Sequence, residues 1–371
     1  MGRNLWVAID GLVHPGFIYR KQAMNKLTKI WAKHKPWVVF VVTCKFTSIA
    51  IIFYWRITSG PKDKTWLYSL PSDYKCPLAA PSISPPSAWS SLLPKNVYFL
   101  ETSEQTKPNF LFMCSVESAA RVHPEAKIIV LMKGMAKQNF TLPNCLGISL
   151  FRCFSNIEIK PLDMKDILMD TPLANWYSVA QQRWEPFFLP VLSDACRLAV
   201  MWKFGGIYLD TDVIVFKSLK NLTNTLGIQS KYLLNGAFLS FAPRHRFIEL
   251  CMQDFVANYS RWIWGNQGPQ LFTRVFKKWC SIRSLQSSKG CRGVTVLPQE
   301  AFYPIRWQDW RKYFEEIKAS ELSQLFKHTY AAHVWHKKSQ GMQLDITSKA
   351  LLAQLYGQYC PSTYELMKRF Q

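Results

Sequence analysis

The apolar positions of this chain change their period along its length. The longest apolar run, Trp37 to Tyr54 (WVVFVVTCKFTSIAIIFY), is interrupted only by Thr43, Lys45, Thr47 and Ser48. That is about the length of one membrane helix. Trp37, Tyr54 and Trp55 stand where interfacial aromatics belong. From Asn96 onward the runs shorten. Val97–Leu100, Lys127–Met132 and Ile157–Ile159 read as buried strands. Between the first two, Pro108 to Arg121 places Phe112, Val116 and Ala119–Ala120 on one helical stripe. Strands alternating with helices predict an α/β domain with a parallel sheet and Rossmann-like halves. Ligands of such sheets bind at the carboxyl ends of the strands.

The flanks of the long run set its orientation. Residues 1–36 carry seven basic side chains (Arg3, Arg20, Lys21, Lys26, Lys29, Lys33, Lys35) against one acid, Asp10. Basic residues stay on the cytoplasmic side. Residues 1–36 therefore read as a cytoplasmic tail and 37–55 as a signal-anchor. No small-residue cleavage site follows the run, which argues against a removed signal peptide. Lys45 costs about 2.5–3.5 kcal/mol at a helix centre, offset by the surrounding Val, Ile and Phe. Residues 56–95 are rich in Pro and Ser, including Pro81-Ser82-Ile83-Ser84-Pro85-Pro86, and read as an extended stem. Residues 96–371 form the luminal domain on this reading. Sequons at Asn139, Asn221 and Asn258 fit luminal exposure. Nine of the ten cysteines follow the run, where an oxidising lumen permits disulfides. An odd number leaves at least one thiol free or paired between chains. Cys280 and Cys291 are near enough to close a small loop, but spacing does not fix connectivity.

Composition adds one constraint. Apolar residues are 49% and charged residues 19%, which supports a packed core and argues against disorder. The net charge is +22, of which the tail supplies +6; the remainder is spread along the chain. No Lys/Arg-rich block of the nucleic-acid-binding kind stands out. The charge points to a membrane surface or a phosphorylated ligand, not nucleic acid.

The chemistry concentrates in Ser193 to Phe216 (SDACRLAVMWKFGGIYLDTDVIVF). Pro190 can open a helix. Asp194 and Arg197, three apart, share one helical face. Gly205-Gly206 ends that helix. Ile207-Tyr208-Leu209 is a short apolar strand that delivers Asp210-Thr211-Asp212 at its carboxyl end. Val213–Phe216 then resumes as strand. Two carboxylates one residue apart can meet a hard divalent cation together, with substrate phosphates as further ligands. Such a cation stabilises a departing diphosphate as a Lewis acid. A bare Asp-x-Asp is also a common solvated turn or calcium loop. The helix, the Phe-Gly-Gly stop and the strand around it make this one specific.

That arrangement resembles the Asp-x-Asp region of sugar transferases with the GT-A fold. The likeness extends to NVYFLETS (96–103), NFLFMCSVES (109–118), WKFGGIYLDTD (202–212), NGAF (235–238), WIWGNQGPQLFT (262–273) and HVWHKKSQ (333–340). Together these are similar to the alpha-1,4 sugar transferase family, over essentially the whole chain. The resemblance implies a Golgi type II membrane enzyme that uses manganese. It implies retaining transfer of galactose from UDP-galactose to the terminal beta-galactose of lactosylceramide or another beta-galactoside, forming Gal-alpha-1,4-Gal. Asp210 and Asp212 match the positions that hold metal and diphosphate. Asp194 and Arg197 match positions that grip the donor sugar. His333 matches a position that completes the metal or diphosphate site, though a lone His is often structural. Trp335 stands beside it as a donor-side candidate.

Asn235-Gly236 and Asn266-Gln267-Gly268 read as sugar-side loops or as plain turns. Gln267 is a candidate for a place under the anomeric carbon. Trp262 and Trp264 are either acceptor-stacking platforms or core residues. Two rival functions remain: an alpha-1,4-N-acetylglucosaminyltransferase of the same fold, and a membrane-anchored lectin without catalysis. Intact Asp194, Arg197, Asp210 and Asp212 argue against the lectin.

Overall fold

The computed structural model describes residue 47 and residues 69–76, 95–136, 142–285 and 289–370. The chain divides into two compact units, Met1–Lys62 and Asp63–Gln371. The expected anchor, apart from Thr47, and the sequon at Asn139 lie outside the described residues, as does most of the expected stem. Among the described residues no helix is long and apolar enough to cross a membrane.

The second unit is built on an eight-stranded sheet ordered β3-β2-β1-β4-β7-β6-β9-β8. Its strands are β1 (Val97–Glu101), β2 (Ile128–Met132), β3 (Ile157–Pro161), β4 (Gly206–Leu209), β6 (Thr225–Ser230), β7 (Leu233–Phe241), β8 (Gly290–Cys291) and β9 (Val294–Leu297). β5 (Val213–Val215) and β10 (Ala331–His333) form a separate antiparallel pair. Side chains alternate between two cores as the period of two requires. Val97, Phe99, Ile128, Val130, Ile207 and Leu209 enter one cluster. Tyr98, Leu100, Ile129, Leu131 and Tyr208 enter the other.

The sheet corrects the expectation of a parallel one with Rossmann-like halves. β1 to β4 are mutually parallel, but β7 runs antiparallel to β4 and to β6. The link from Ser230 to Leu233 is too short for a crossover, so only a hairpin can form there. β4 is consequently the place where the parallel half meets the antiparallel half, and the Asp-Thr-Asp turn leaves from its carboxyl end.

Two helices frame that end. Phe110–Val122 is capped by Asn109, whose side chain accepts from Phe112 N–H (2.9 Å). Phe188–Phe204 carries Asp194 and Arg197 and stops at Gly205 and Gly206, with φ of +64° and +94°. A Cβ on Gly206 would stand 2.6 Å from the Asn96 carbonyl oxygen, so only glycine lets β4 approach β1 here.

Residues 69–76, within the expected stem, are held against the domain. Cys76 is bonded to Cys153, Leu70 and Tyr74 pack on the first core, and Arg369 pairs with Asp73 (3.0 Å). A second disulfide, Cys114–Cys360, ties the C-terminal helices to Phe110–Val122. There the buried Glu117 accepts from the N–H groups of Ser362 (2.9 Å) and Thr363 (2.7 Å). Cys280–Cys291 closes the short loop that spacing had suggested. Cys145, Cys196 and Cys251 are buried free thiols.

Candidate active site

β4 hands the chain to Asp210, whose N–H donates to the Ala237 carbonyl of β7 (2.9 Å). The turn closes with Val213 N–H to Asp210 O (3.2 Å). β5 then pairs with β10 so that Val213 faces His333. His333 Nε2 lies 3.0 Å from Asp212 Oδ1 and 3.9 Å from Asp210 Oδ2. One ligand atom from each of Asp210, Asp212 and His333 lies within 4.8 Å of the others.

The surrounding groups hold these three in place. Tyr208 O–H donates to Asp210 Oδ1 (2.5 Å). His336 N–H donates to Asp212 Oδ2 (2.8 Å), and Val334 N–H to the Asp212 carbonyl (2.9 Å). Tyr313 O–H donates to the His333 carbonyl (3.0 Å). The Trp335 ring lies 4.1 Å from the His333 ring, and its N–H donates to the Ile305 carbonyl (2.8 Å). His333 Nδ1 is buried and has no hydrogen-bond partner.

Arg197 joins the helix to the turn. Its Nη2 is 3.3 Å from Asp194 Oδ1 and 3.2 Å from Asp210 Oδ1. The same atom donates to Ser193 Oγ (3.2 Å), and the guanidinium lies over the Tyr208 ring (5.0 Å to its centre). Burial opposes charge on Arg197, yet Asp210, Tyr208 and Asp194 more than compensate and raise its pKa. Burial pushes Asp194 up to about 6, against the pull of Arg197 and with the repulsion of Asp210.

At the other end of the cluster, burial opposes the charge of Asp212. The His333 charge, the His333 hydrogen bond and the His336 N–H bring it down to about 2. Burial likewise opposes a charged His333, but Asp212 and Asp210 leave its pKa raised. The two shifts favour charge on both partners, an imidazolium beside a carboxylate. Two carboxylates and an imidazole that converge on one point fit a divalent cation.

Asp194, Arg197, Asp210, Asp212 and His333 come together in one cluster. Other candidates do not face the cluster in the same way. Asn235 and Gly236 belong to β7, not to a loop. The Asn235 side chain donates to Gln229 Oε1 (2.6 Å) and accepts from Ala237 N–H (2.8 Å), so both its polar atoms serve the strand pair. Gly236 provides close packing: a Cβ there would meet Phe272 Cε2 at 2.4 Å and Arg197 Nη1 at 3.3 Å.

Gln267 is 1% exposed. Its amide nitrogen donates to the Asn258 (3.1 Å) and Phe255 (3.3 Å) carbonyls, and its oxygen accepts from Asn266 (3.1 Å). Its amide is thus engaged by the loop that carries it. Trp335 packs on His333 and fixes that ring. Trp262 and Trp264 are 60% and 50% exposed, which removes the core-packing alternative. The sequons at Asn221 and Asn258 are exposed.

Sequence reasoning missed Tyr208, Ser193 and the N–H of His336. Tyr208 read only as a strand residue, and a backbone donor leaves no signature in residue type.

A carboxylate pair, an imidazole and a buried arginine at the switch of a mixed sheet make a polar site that fits a divalent cation. Residues 109–233 match the glycosyltransferase sugar-binding region containing the DXD motif, and residues 240–367 match the alpha 1,4-glycosyltransferase conserved region. The chain is 60% identical to human lactosylceramide 4-alpha-galactosyltransferase over 333 residues, 90% of this chain and 94% of that protein. Its identity to the mouse protein of the same name is 60% over 340 residues, 91% and 92% of the two chains. Human alpha-1,4-N-acetylglucosaminyltransferase is 38% identical over 309 residues, 81% and 89%. The chain belongs to the alpha-1,4-glycosyltransferase family and is a hexosyltransferase.

Proposed function

We propose that this enzyme transfers galactose from UDP-galactose to the terminal beta-galactose of lactosylceramide, forming Gal-alpha-1,4-Gal, with manganese as the cation. The observation that carries the reading is the contrast between 60% identity to lactosylceramide 4-alpha-galactosyltransferases and 38% to the N-acetylglucosaminyl enzyme. The convergence of Asp210, Asp212 and His333 supports the metal part of it.

On this reading Asp210, Asp212 and His333 would hold the cation, which as a Lewis acid stabilises the charge on the departing diphosphate. Arg197 is held by Asp194 and Asp210 and fixes the carboxylate of Asp210 toward the cluster. His336 N–H and the Trp335 ring fix Asp212 and His333, so little reorganisation is required when the substrate binds. Galactose is alpha-linked in the donor and in the product. Retention without a nucleophile calls for front-face substitution, with the leaving diphosphate oxygen taking the acceptor proton. The nearby carboxylates support this route, since Asp194 and Asp210 are engaged by Arg197 and Asp212 by His333. Trapping a covalent sugar–enzyme adduct would count against it.

The same reading makes the enzyme a single-pass type II protein of the Golgi membrane, in a GT-A-type fold, glycosylated on luminal asparagines. The apolar run at 37–55, its basic N-terminal flank and the three disulfides support this topology. A competition assay tests the donor. Full-length enzyme would receive equal UDP-galactose and UDP-N-acetylglucosamine with lactosylceramide. Galactose should dominate the product; preferential transfer of N-acetylglucosamine would overturn the assignment.

A further inference from the structure

Beside the active site, five large apolar side chains stand in water on two neighbouring segments. Trp184 and Leu189 are 76% and 48% exposed; Trp262, Ile263 and Trp264 are 60%, 52% and 50% exposed. The segments meet through ring contacts, Trp184 on Trp262 (6.2 Å) and Phe187 on Trp264 (5.3 Å). A hydrogen bond from Tyr259 O–H to the Glu185 carboxylate also joins them.

Cations decorate this rim. Arg261 lies over Trp262 (4.8 Å), Lys337 over Trp264 (3.6 Å), and Lys338 over the partly exposed Trp307 (5.1 Å). Clustered exposed aromatics of this size mark a contact surface rather than ordinary protein surface. The 258–268 segment has polar supports besides its rings. Arg274 bonds Asp254 (2.6 Å) and the Asn266 carbonyl (3.1 Å), and Gln267 bonds the Asn258 carbonyl (3.1 Å).

We infer that this rim docks on an anionic lipid bilayer surface. Interfacial tryptophans interleaved with Lys and Arg are the chemistry of a headgroup layer. The rim also borders the reaction site on two sides. A Cβ on Gly268, at the foot of one loop, would stand 2.9 Å from Asp194 Oδ2. Lys337 directly follows His336, whose N–H binds Asp212. The inference rests on the proposed glycolipid acceptor, whose sugars project only a short way from the bilayer and so require the site to come down to it.

The test uses the full chain reconstituted into vesicles of phosphatidylcholine and phosphatidylserine. Transfer of galactose is compared for lactosylceramide in the same bilayer and for a water-soluble lactoside, in the wild type and in a Trp184→Ser/Ile263→Ser variant. Quenching of tryptophan emission by brominated phospholipid is read in parallel and needs no turnover.

The variant should lose about tenfold or more on bilayer lactosylceramide and keep its rate on the lactoside. Bromolipid quenching should be weaker in the variant, and high salt should weaken it further in both. Equal loss on both acceptors would overturn docking in favour of sugar stacking or a structural role. No change in either rate or in quenching would overturn it outright. If the wild type transferred to neither acceptor, the proposed function would fall, and quenching would still decide the docking.

Discussion

The Nε2 of His333 stands 3.0 Å from Oδ1 of Asp212 because β10 pairs with β5 and sets His333 opposite Val213. The contact makes one object of two distant motifs, the Asp-Thr-Asp turn and the His-Val-Trp segment. It also gives the metal-free site a charge pair of its own, with His333 raised and Asp212 lowered to about 2. The cation must therefore compete with a proton on the imidazole.

That competition fixes a pH dependence. A cation binds neutral His333, so its affinity should rise with pH until the raised pKa of His333 is passed, by up to about tenfold per unit. The stability of the metal-free protein runs the other way. The raised His333 contributes stability that is complete below its ordinary 6.5 and is lost as pH rises through its folded value. The lowered Asp212 contributes stability above its ordinary 3.8 that is lost toward about 2. Both contributions are present between about pH 4 and 6.5. Manganese titration calorimetry in two buffers of different ionisation heat, together with melting curves across pH, checks both trends. A cation affinity flat between about pH 5 and 8 would contradict the pairing.

Arg197 neutralises two carboxylates with one Nη2. Arg197→Met should leave Asp194 and Asp210 facing each other unpaired in a buried site. The expected loss is about 3–5 kcal/mol of stability, with activity abolished. Arg197→Lys should lose less stability but still most activity, since an ammonium cannot keep the Ser193 contacts and both carboxylates together. Denaturant unfolding and a transfer assay separate the two effects.

Gly236→Ala tests close packing beneath the site. With Phe272 Cε2 at 2.4 Å from the added Cβ, the ring must move, and Arg197 lies next to it. Overpacking of this kind costs about 1–3 kcal/mol. We expect a lower melting temperature and a fall in kcat larger than the change in KM for UDP-galactose.

Cys114→Ser/Cys360→Ser opens a disulfide that spans 246 positions. Long closed loops gain most from a crosslink, and the expected loss is about 2–5 kcal/mol. The site lies on other elements, so the folded variant should retain its rate at low temperature. Equilibrium unfolding beside a rate measurement checks this.

The sequence declared the site unevenly, for physical reasons. Strands β1, β2 and β4 are continuous apolar runs, and their period exposed them. Asp194, Arg197, Asp210 and Asp212 lie within one helix–strand unit, so local spacing was enough to group them. The antiparallel pairing of β7 with β4 escaped because its partners, such as Leu209 and Phe238, are separated in sequence by β5 and β6. The bonds that engage the Gln267 and Asn235 side chains with their neighbours escaped as well. Neither amide carries any sign of its hydrogen-bond partners. At 69–76, within the expected stem, a disulfide to Cys153 holds the chain to the domain, a partner that local composition does not name.

The most direct test of the account is transfer by the full-length enzyme with UDP-galactose, manganese and lactosylceramide, beside Asp212→Asn and His333→Gln. Linkage analysis and alpha-galactosidase digestion would identify the product. The account predicts alpha-1,4-linked galactose from the wild type. Both variants should fall by about 100-fold or more, as loss of several kcal/mol of charge stabilisation requires, with weaker manganese binding in each. Wild-type rates in either variant, or a product without alpha-1,4-galactose, would contradict it.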